Sequence, residues 1–163
     1  MYLILKVVAV LGHKKSGKTR LSTMLIRSLS EMGYSVASAK HVHHADFSVD
    51  QVGKDSWKHG EAGANPNIII SPTEIAVIWR KRTINSIEEL KNFVGNVDFL
   101  ILEGFYSLVK RYREAVKIVL VKNREDAVNL ENIIVASFEE INDPDVIKLP
   151  EQFPQLLKII VER

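Results

Sequence analysis

An open α/β sheet, mostly parallel and covered by helices on both faces, is the fold class that the sequence predicts. Three observations carry that expectation. Short runs rich in valine, isoleucine and leucine alternate along the chain with stretches of helical periodicity, the pattern of strands joined by crossover helices. The first run, Val7 to Leu11, leads straight into Gly12-His13-Lys14-Lys15-Ser16-Gly17-Lys18-Thr19, which fits the G-x-x-x-x-G-K-[ST] pattern of a phosphate-binding loop. A later run, Val97 to Leu102, ends in an acid, Glu103, at the strand end where ligands of open α/β sheets sit.

The elements follow in order. Val7 to Leu11 reads as a buried parallel strand. Leu21, Met24, Leu25 and Leu29 recur at helical spacing behind the loop, so a helix runs from Lys18 to about Met32 with Gly33 as a left-handed cap. Ser35 to Lys40 is a second strand. His41 to Asp55 is polar and lacks periodicity. A short helix starts near Asp55, carries Trp57, His59 and Glu61 toward Ala64, and breaks at Asn65-Pro66-Asn67. Ile68 to Ile70 and Ile75 to Trp79, separated by Ser71-Pro72-Thr73, form a hairpin that would put an antiparallel piece into an otherwise parallel sheet. Ser86 and Glu89 make a capping box for a helix through Ile87, Leu90 and Phe93 to Val94, which Gly95 closes. Val97 to Leu102, Lys117 to Val121 and Ile133 to Ala136 are further strands. Phe105 to Glu114, carrying Lys110, Arg111 and Arg113, reads as a mobile loop or short helix. The stripe Phe153, Leu156, Leu157, Ile160 and Val161 marks a closing helix between Pro150 and Arg163.

Bulk properties narrow the function classes. At 163 residues and 46% apolar content, residues 1–163 are expected to form a single nucleotide-binding domain with a proper core. Cysteine is absent, which excludes disulfides, thiolate metal sites and cysteine nucleophiles, and fits a reducing cytoplasm. The net charge of +2 gives no electrostatic argument for a nucleic-acid partner. No apolar run reaches the length of a membrane span, and Met1-Tyr2-Leu3-Ile4-Leu5-Lys6 enters the first strand without a basic leader. The expectation is a cytoplasmic protein with neither nucleic acid nor membrane as partner.

Each loop residue has a physical task. Gly12 and Gly17 let the backbone turn tightly and approach a phosphate with no Cβ in the way. Successive amides and the helix N-terminus form a concave positive site. Lys18 reaches the β- and γ-phosphates, and the Thr19 hydroxyl ligates magnesium. Glu103 meets that ion directly or through water, whereas Asp98, about five residues earlier and roughly 16 Å away in extended chain, is left to capping. Four of the five histidines lie between His41 and His59, with Asp46, Asp50 and Asp55 among them. Three readings of that segment stand: a metal cluster of imidazoles and carboxylates, a loop serving substrate or nucleotide, and a solvated loop. In the second, Asp46 or Asp50 orients water or magnesium and Lys54 or Lys58 meets an anion. A long polar segment inside a compact domain is usually functional, which favours it.

The phosphate loop, the strand end Ala39-Lys40-His41-x-His43-His44, the run Gly53-Lys54-Asp55-Ser56 leading to Ala62-Gly63-Ala64, and Asp98-Phe99-Leu100-Ile101-Leu102-Glu103-Gly104-Phe105 together resemble the MobB family. Its members are adaptor proteins of molybdopterin-guanine dinucleotide biosynthesis. The likeness covers the first two-thirds of the chain and is only general from Lys117 onward. It implies the three-layer sandwich of P-loop NTPases and a homodimeric GTP-binding protein with weak GTPase activity. The partners it implies are molybdopterin and the molybdopterin guanylyltransferase that joins GMP to it. It also implies residue roles. Gly12, His13, Lys14, Lys15, Ser16, Gly17, Lys18, Thr19 and Arg20 would hold GTP, with Lys18 and Glu103 carrying whatever catalysis occurs. Thr19, Glu103 and Asp50 would serve Mg2+, and Lys40, His41, His43 and His44 would line the place that receives phosphates or pterin.

The sequence also departs from the pattern. Ala45 and Ser48 are interposed around Asp46 and Asp50, which unsettles their alignment with the family's acids. His13 stands where GTPases with a deviant Walker motif carry a signature lysine. Val121-Lys122-Asn123-Arg124-Glu125-Asp126 holds the residues of a guanine-reading Asn-Lys-x-Asp box in scrambled order. The residues alone therefore say nucleotide, and guanine comes from the resemblance. No glutamine closely follows Glu103 to orient water, so slow turnover is expected. Two other readings compete: a metallochaperone-type P-loop GTPase using the histidines, and a small-molecule kinase with Arg111 and Arg113 as lid arginines.

Overall fold

The computed structural model describes residues 5–44, 46–123, 126 and 130–163. The start of the N-terminal leader reading, Ala45, and Arg124 and Glu125 of the scrambled box lie outside the described residues. In chain order the first elements are β1 (Lys6–Gly12), α1 (Lys18–Glu31), β2 (Val36–Lys40), α2 (Asp55–Glu61), β3 (Asn67–Ile70) and β4 (Ile75–Ile78). Then come α3 (Ile87–Val94), β5 (Phe99–Glu103), α4 (Tyr106–Val109), β6 (Val116–Leu120), β7 (Ile133–Ser137), β8 (Val146–Lys148) and α5 (Phe153–Glu162). They fall into two compact units, one comprising the chain up to His41 together with Asn85–Arg163, the other Val42–Ile84.

The first unit is built on a six-stranded sheet in the order β2-β5-β1-β6-β7-β8. Every pairing in it is parallel. β1 sits between β5 and β6, so the phosphate loop leaves the middle of the sheet at its carboxyl edge. Alternate β1 residues Val8 and Val10 face a cluster that holds Leu21, Leu25 and Leu29 of α1 and Leu156 and Ile160 of α5. The other set, Val7, Ala9 and Leu11, is equally buried. α3 and α4 add the buried Ile87, Leu90 and Val109. Strands buried on both faces explain why the sequence shows continuous apolar runs in place of alternation.

Local chemistry sets the element ends. Gly17, at φ 93°, is the N-cap of α1, and Gly33, at φ 89°, follows its C-terminus. The Ser86 hydroxyl accepts from the Glu89 amide at 3.0 Å, and the Glu89 carboxylate accepts from the Asn85 amide at 3.0 Å, so the expected box caps α3. β5 begins at Phe99 and not at Val97, because Asp98 is held by Ser35: its carboxylate accepts from the Ser35 amide and hydroxyl, each at 2.7 Å.

Two expectations change. A strand not expected from the sequence, β8, follows Asp143-Pro144-Asp145 and pairs with β7; at three residues its apolar run is too short to recognise. The hairpin does form, with Ile68 opposite Val77 and Ile70 opposite Ile75, but it is a separate two-stranded sheet and not an insertion in the parallel one. Its turn is satisfied locally, the Ser71 amide donating to the Glu74 carbonyl at 2.8 Å, so the two strands complete each other.

Candidate functional site

The loop between β1 and α1 requires its glycines. A Cβ on Gly12 would lie 2.5 Å from the Leu120 carbonyl oxygen and 2.7 Å from the Ser16 hydroxyl, at a φ of 139°. A Cβ on Gly17 would lie 2.6 Å from the Phe138 ring, at a φ of 93°. Between them Lys15 takes a φ of 63°, a left-handed conformation that costs a non-glycine residue roughly 1–2 kcal/mol. Such alternation turns successive amides to one side and makes an anion-binding concavity.

Two observations test whether a phosphate chain fits there. The Ser16 hydroxyl is buried without a hydrogen-bond partner among the described residues, and buried hydroxyls in native proteins are nearly always satisfied. The Lys18 amine folds across the loop, donating to the Gly12 carbonyl at 2.9 Å and the His13 carbonyl at 2.6 Å. Burial lowers the Lys18 ammonium below its usual pKa; the Glu103 carboxylate opposes that shift and Lys40 adds to it. A cation already partly stripped of water, beside an unsatisfied hydroxyl, fits a polyanion.

A second cluster stands on the β5 side. Sheet register places Lys40 opposite Glu103 and Glu103 opposite Val10, which brings three strand ends together. The Thr19 hydroxyl donates to the Glu103 carboxylate at 2.7 Å. The Lys40 amine lies 3.0 Å from the same Glu103 oxygen and 3.4 Å from the Thr19 hydroxyl. Glu103 keeps only 13% of its side chain exposed, against 57% for Lys40. The point between the two oxygens thus already attracts a cation, and hard oxygens of this kind suit Mg2+. Gly104 and Phe105 follow at φ 91° and 61°, and the His41 ring packs against the Phe105 ring with centroids 5.3 Å apart.

Arg20, one residue beyond Thr19, lies with its guanidinium carbon 4.2 Å from the centre of the Phe138 ring. Phe138 follows β7 and had no role in the sequence reading. Its signal was positional: an aromatic just past a strand's carboxyl end.

The structure brings together Gly12 to Arg20, Lys40, His41 and Glu103 in the first unit. His43, His44 and Asp50 belong to the second. There Asp50 meets a different task from the magnesium role expected of it. Its side chain is 4% exposed, with Arg80 pairing to one carboxylate oxygen at 2.8 Å. The other oxygen accepts from the Ser56 hydroxyl at 2.7 Å and the Gln51 amide at 3.0 Å. Both oxygens are committed to protein donors, and Arg80 fills the space that a side chain on Gly60 would need. In sequence Arg80 stands in the basic run Arg80-Lys81-Arg82, which gives no sign of this pair. Among the described residues, no three His, Cys, Asp or Glu side chains gather as a metal-binding group, and no helix is long and apolar enough to cross a membrane.

Comparison with known proteins adds to this geometry. Residues 7–138 match the profile of the family described as Molybdopterin guanine dinucleotide synthesis protein B, MobB. A relative in Methanocaldococcus jannaschii is 28% identical over 148 residues, covering 89% of this chain and 60% of its own length. The molybdopterin-guanine dinucleotide biosynthesis adapter protein of Escherichia coli is 30% identical over 128 residues, covering 74% of this chain and 67% of its own length. The chain thus spans only part of these relatives. Among solved structures, Bacillus subtilis MobB superposes with a TM-score of 0.72 at 23% identity, over 96% of each chain. That likeness establishes the fold.

Proposed function

The chain belongs to the MobB family, and from that premise we propose that it is a cytoplasmic GTP-binding adaptor that assists the attachment of GMP to molybdopterin. The observation that carries the reading is the meeting of Thr19, Glu103 and Lys40 within 3.4 Å, beside a loop closed by the Lys18 amine. In this reading the amides from His13 to Arg20 and the Ser16 hydroxyl hold the phosphate chain. Lys18 leaves the carbonyls of Gly12 and His13 for the β- and γ-phosphates. Thr19 and Glu103 hold Mg2+, which when bound neutralises charge on the phosphates. Lys40, which now pairs with Glu103, would be free to meet a phosphate oxygen once that carboxylate holds a metal ion. His41 lines the side where phosphates or pterin arrive, and His43 and His44 follow it in sequence in the other unit. Guanine is assigned on family membership, supported by the family relatives. Phosphate positioning and charge neutralisation are all the protein supplies, so hydrolysis is slow without a partner.

A homodimer completes the reading. Ile68, Ile70, Ile75 and Val77 share one hairpin face and are 41–73% exposed, an apolar surface of the kind that subunits cover.

Calorimetric titration of GTP and ATP, with and without Mg2+, tests the site. Wild type is expected to prefer GTP and Lys18→Ala to lose it. Equal binding by the variant would refute the phosphate assignment. Stimulation of guanylyl transfer to molybdopterin by a purified transferase tests the adaptor role.

A further inference from the structure

We propose that Arg20 and Phe138 form the platform on which the base of the bound nucleotide stacks. The inference rests on the triphosphate reading of the loop and adds to it the place of the base. The metal-side end of the phosphates is marked by Thr19 and Glu103, and Glu103 closes β5, on one side of β1. A nucleotide laid across the loop from that end carries its base toward the other side. There the strands are β6 and β7, and β7 lies two strand spacings, roughly 10 Å, from β1. Phe138 is the first residue past β7, its ring touches the loop at Gly17, and Arg20 covers it at 4.2 Å. An aromatic ring and a guanidinium plane both accept the face of a base. Phe138 is half-buried against the core while Arg20 is exposed, so the ring is fixed and its cover is free to move.

The competing location is the far part of a groove of about 400 Å³ between α1 and α5, which starts at Thr19 and Arg20 and continues along Thr23, Met24, Arg27 and Ser28 to Phe153. Thr23, Met24 and Arg27 stand four to eight positions beyond Thr19, hence roughly 6–12 Å along the helix axis, so only the Thr19–Arg20 end of the groove lies at the strand ends where ligands of such sheets sit. The pair beside the loop is the better placed.

Stacking is indifferent to phosphate, which gives the experiment its contrast. Binding of GTP and of inorganic tripolyphosphate, both with Mg2+, is measured by calorimetry for the full chain and for Phe138→Leu, Arg20→Ala and Phe153→Leu. Phe138→Leu keeps an apolar core side chain, and Arg20→Ala alters an exposed position, so at least one of the two is expected to fold as wild type does. The expected result is a loss of roughly tenfold in GTP affinity for Phe138→Leu and Arg20→Ala, as for removal of a base-stacking side chain, with tripolyphosphate unchanged. Tripolyphosphate binding as tightly as GTP to wild type would overturn the proposal and leave the phosphate site standing. So would equal loss of both ligands in the variants, or a loss confined to Phe153→Leu. Wild type binding neither ligand would remove the phosphate reading and the platform with it.

Discussion

At the scale of single residues, the site divides into groups legible in sequence and groups that folding alone brings together. Gly12 to Thr19 could be read because the chemistry is contiguous: eight residues carry the turn, the cradle, the amine and the hydroxyl. Glu103 could be read because a strand end is a place as well as a residue. Phe138 and Arg80 could not, since each acquires its role from a partner distant in sequence. The charge arrangement makes a specific prediction. Glu103 accepts from Thr19 and pairs with Lys40 at once, so Glu103→Gln keeps the shape of the cluster and loses the anion that attracts Mg2+. GTP binding by that variant is expected to lose most of its dependence on Mg2+ while retaining binding to the loop. Titrations at saturating Mg2+ and in chelator check this, and an undiminished magnesium effect would take Glu103 out of the metal shell. Gly12→Ala makes the opposite kind of change. The added methyl meets a backbone carbonyl at 2.5 Å and forces a φ that alanine avoids, so both stability and GTP binding are expected to fall. Thermal melting with and without GTP measures the two effects.

At the scale of elements, helices with caps and buried central strands were legible, whereas β8 and the placement of the hairpin were not. The former are specified by nearby residues, as α3 is by Ser86 with Glu89, whereas the exact start of β5 depends on Ser35, distant in sequence. The latter depend on which edge is available once the sheet exists. Within the Val42–Ile84 unit, the pairing of Asp50 with Arg80 and Ser56, which sequence did not signal, predicts a pH response. The Ser56 hydroxyl foremost, then Arg80 and the Gln51 amide, hold the Asp50 carboxyl below the ordinary aspartate range, against burial that works to raise it. A folded pKa below the unfolded one contributes stability at pH above the unfolded value, about 3.9. That contribution is lost as pH falls through the folded value. The amides of β3 and β4 are therefore expected to exchange faster as pH drops below about 4, after correction for intrinsic rates. In Asp50→Asn exchange is faster already at neutral pH, because Arg80 loses its partner, and its extra acid sensitivity shrinks. An Asp50→Asn hairpin with wild-type protection and wild-type acid response would show that the pair does not hold the unit together.

At the scale of the whole molecule, two compact units and one phosphate loop give ligand binding a defined footprint. A ligand that binds only the folded state stabilises it by about 2.7 kcal/mol at a hundred times its Kd. For a chain of this length that corresponds to a rise in Tm of roughly 5–10 °C. The gain belongs to the unit that makes the contacts. GTP with Mg2+ is expected to slow amide exchange in the loop, at the carboxyl ends of β1 and β5, and around Arg20. If His43 and His44 line the arriving phosphates, residues 41–44 join that footprint while the β3–β4 amides keep their ligand-free rates. Hydrogen exchange on wild type and Lys18→Ala, each with and without GTP, reads all of this in one experiment. Protection spread evenly over both units would mean that the ligand stabilises the fold without a local site. Protection confined to the loop and β5, with residues 41–44 unchanged, would keep the nucleotide site and remove the histidines from it. The histidine segment is the part of the chain on which the family resemblance and the physical reading lean most differently. Lys40 is fixed opposite Glu103 by register, and the His41 amide donates to the Glu103 carbonyl at 3.0 Å, while His43 and His44 stand in the other unit, where only a ligand footprint can assign them.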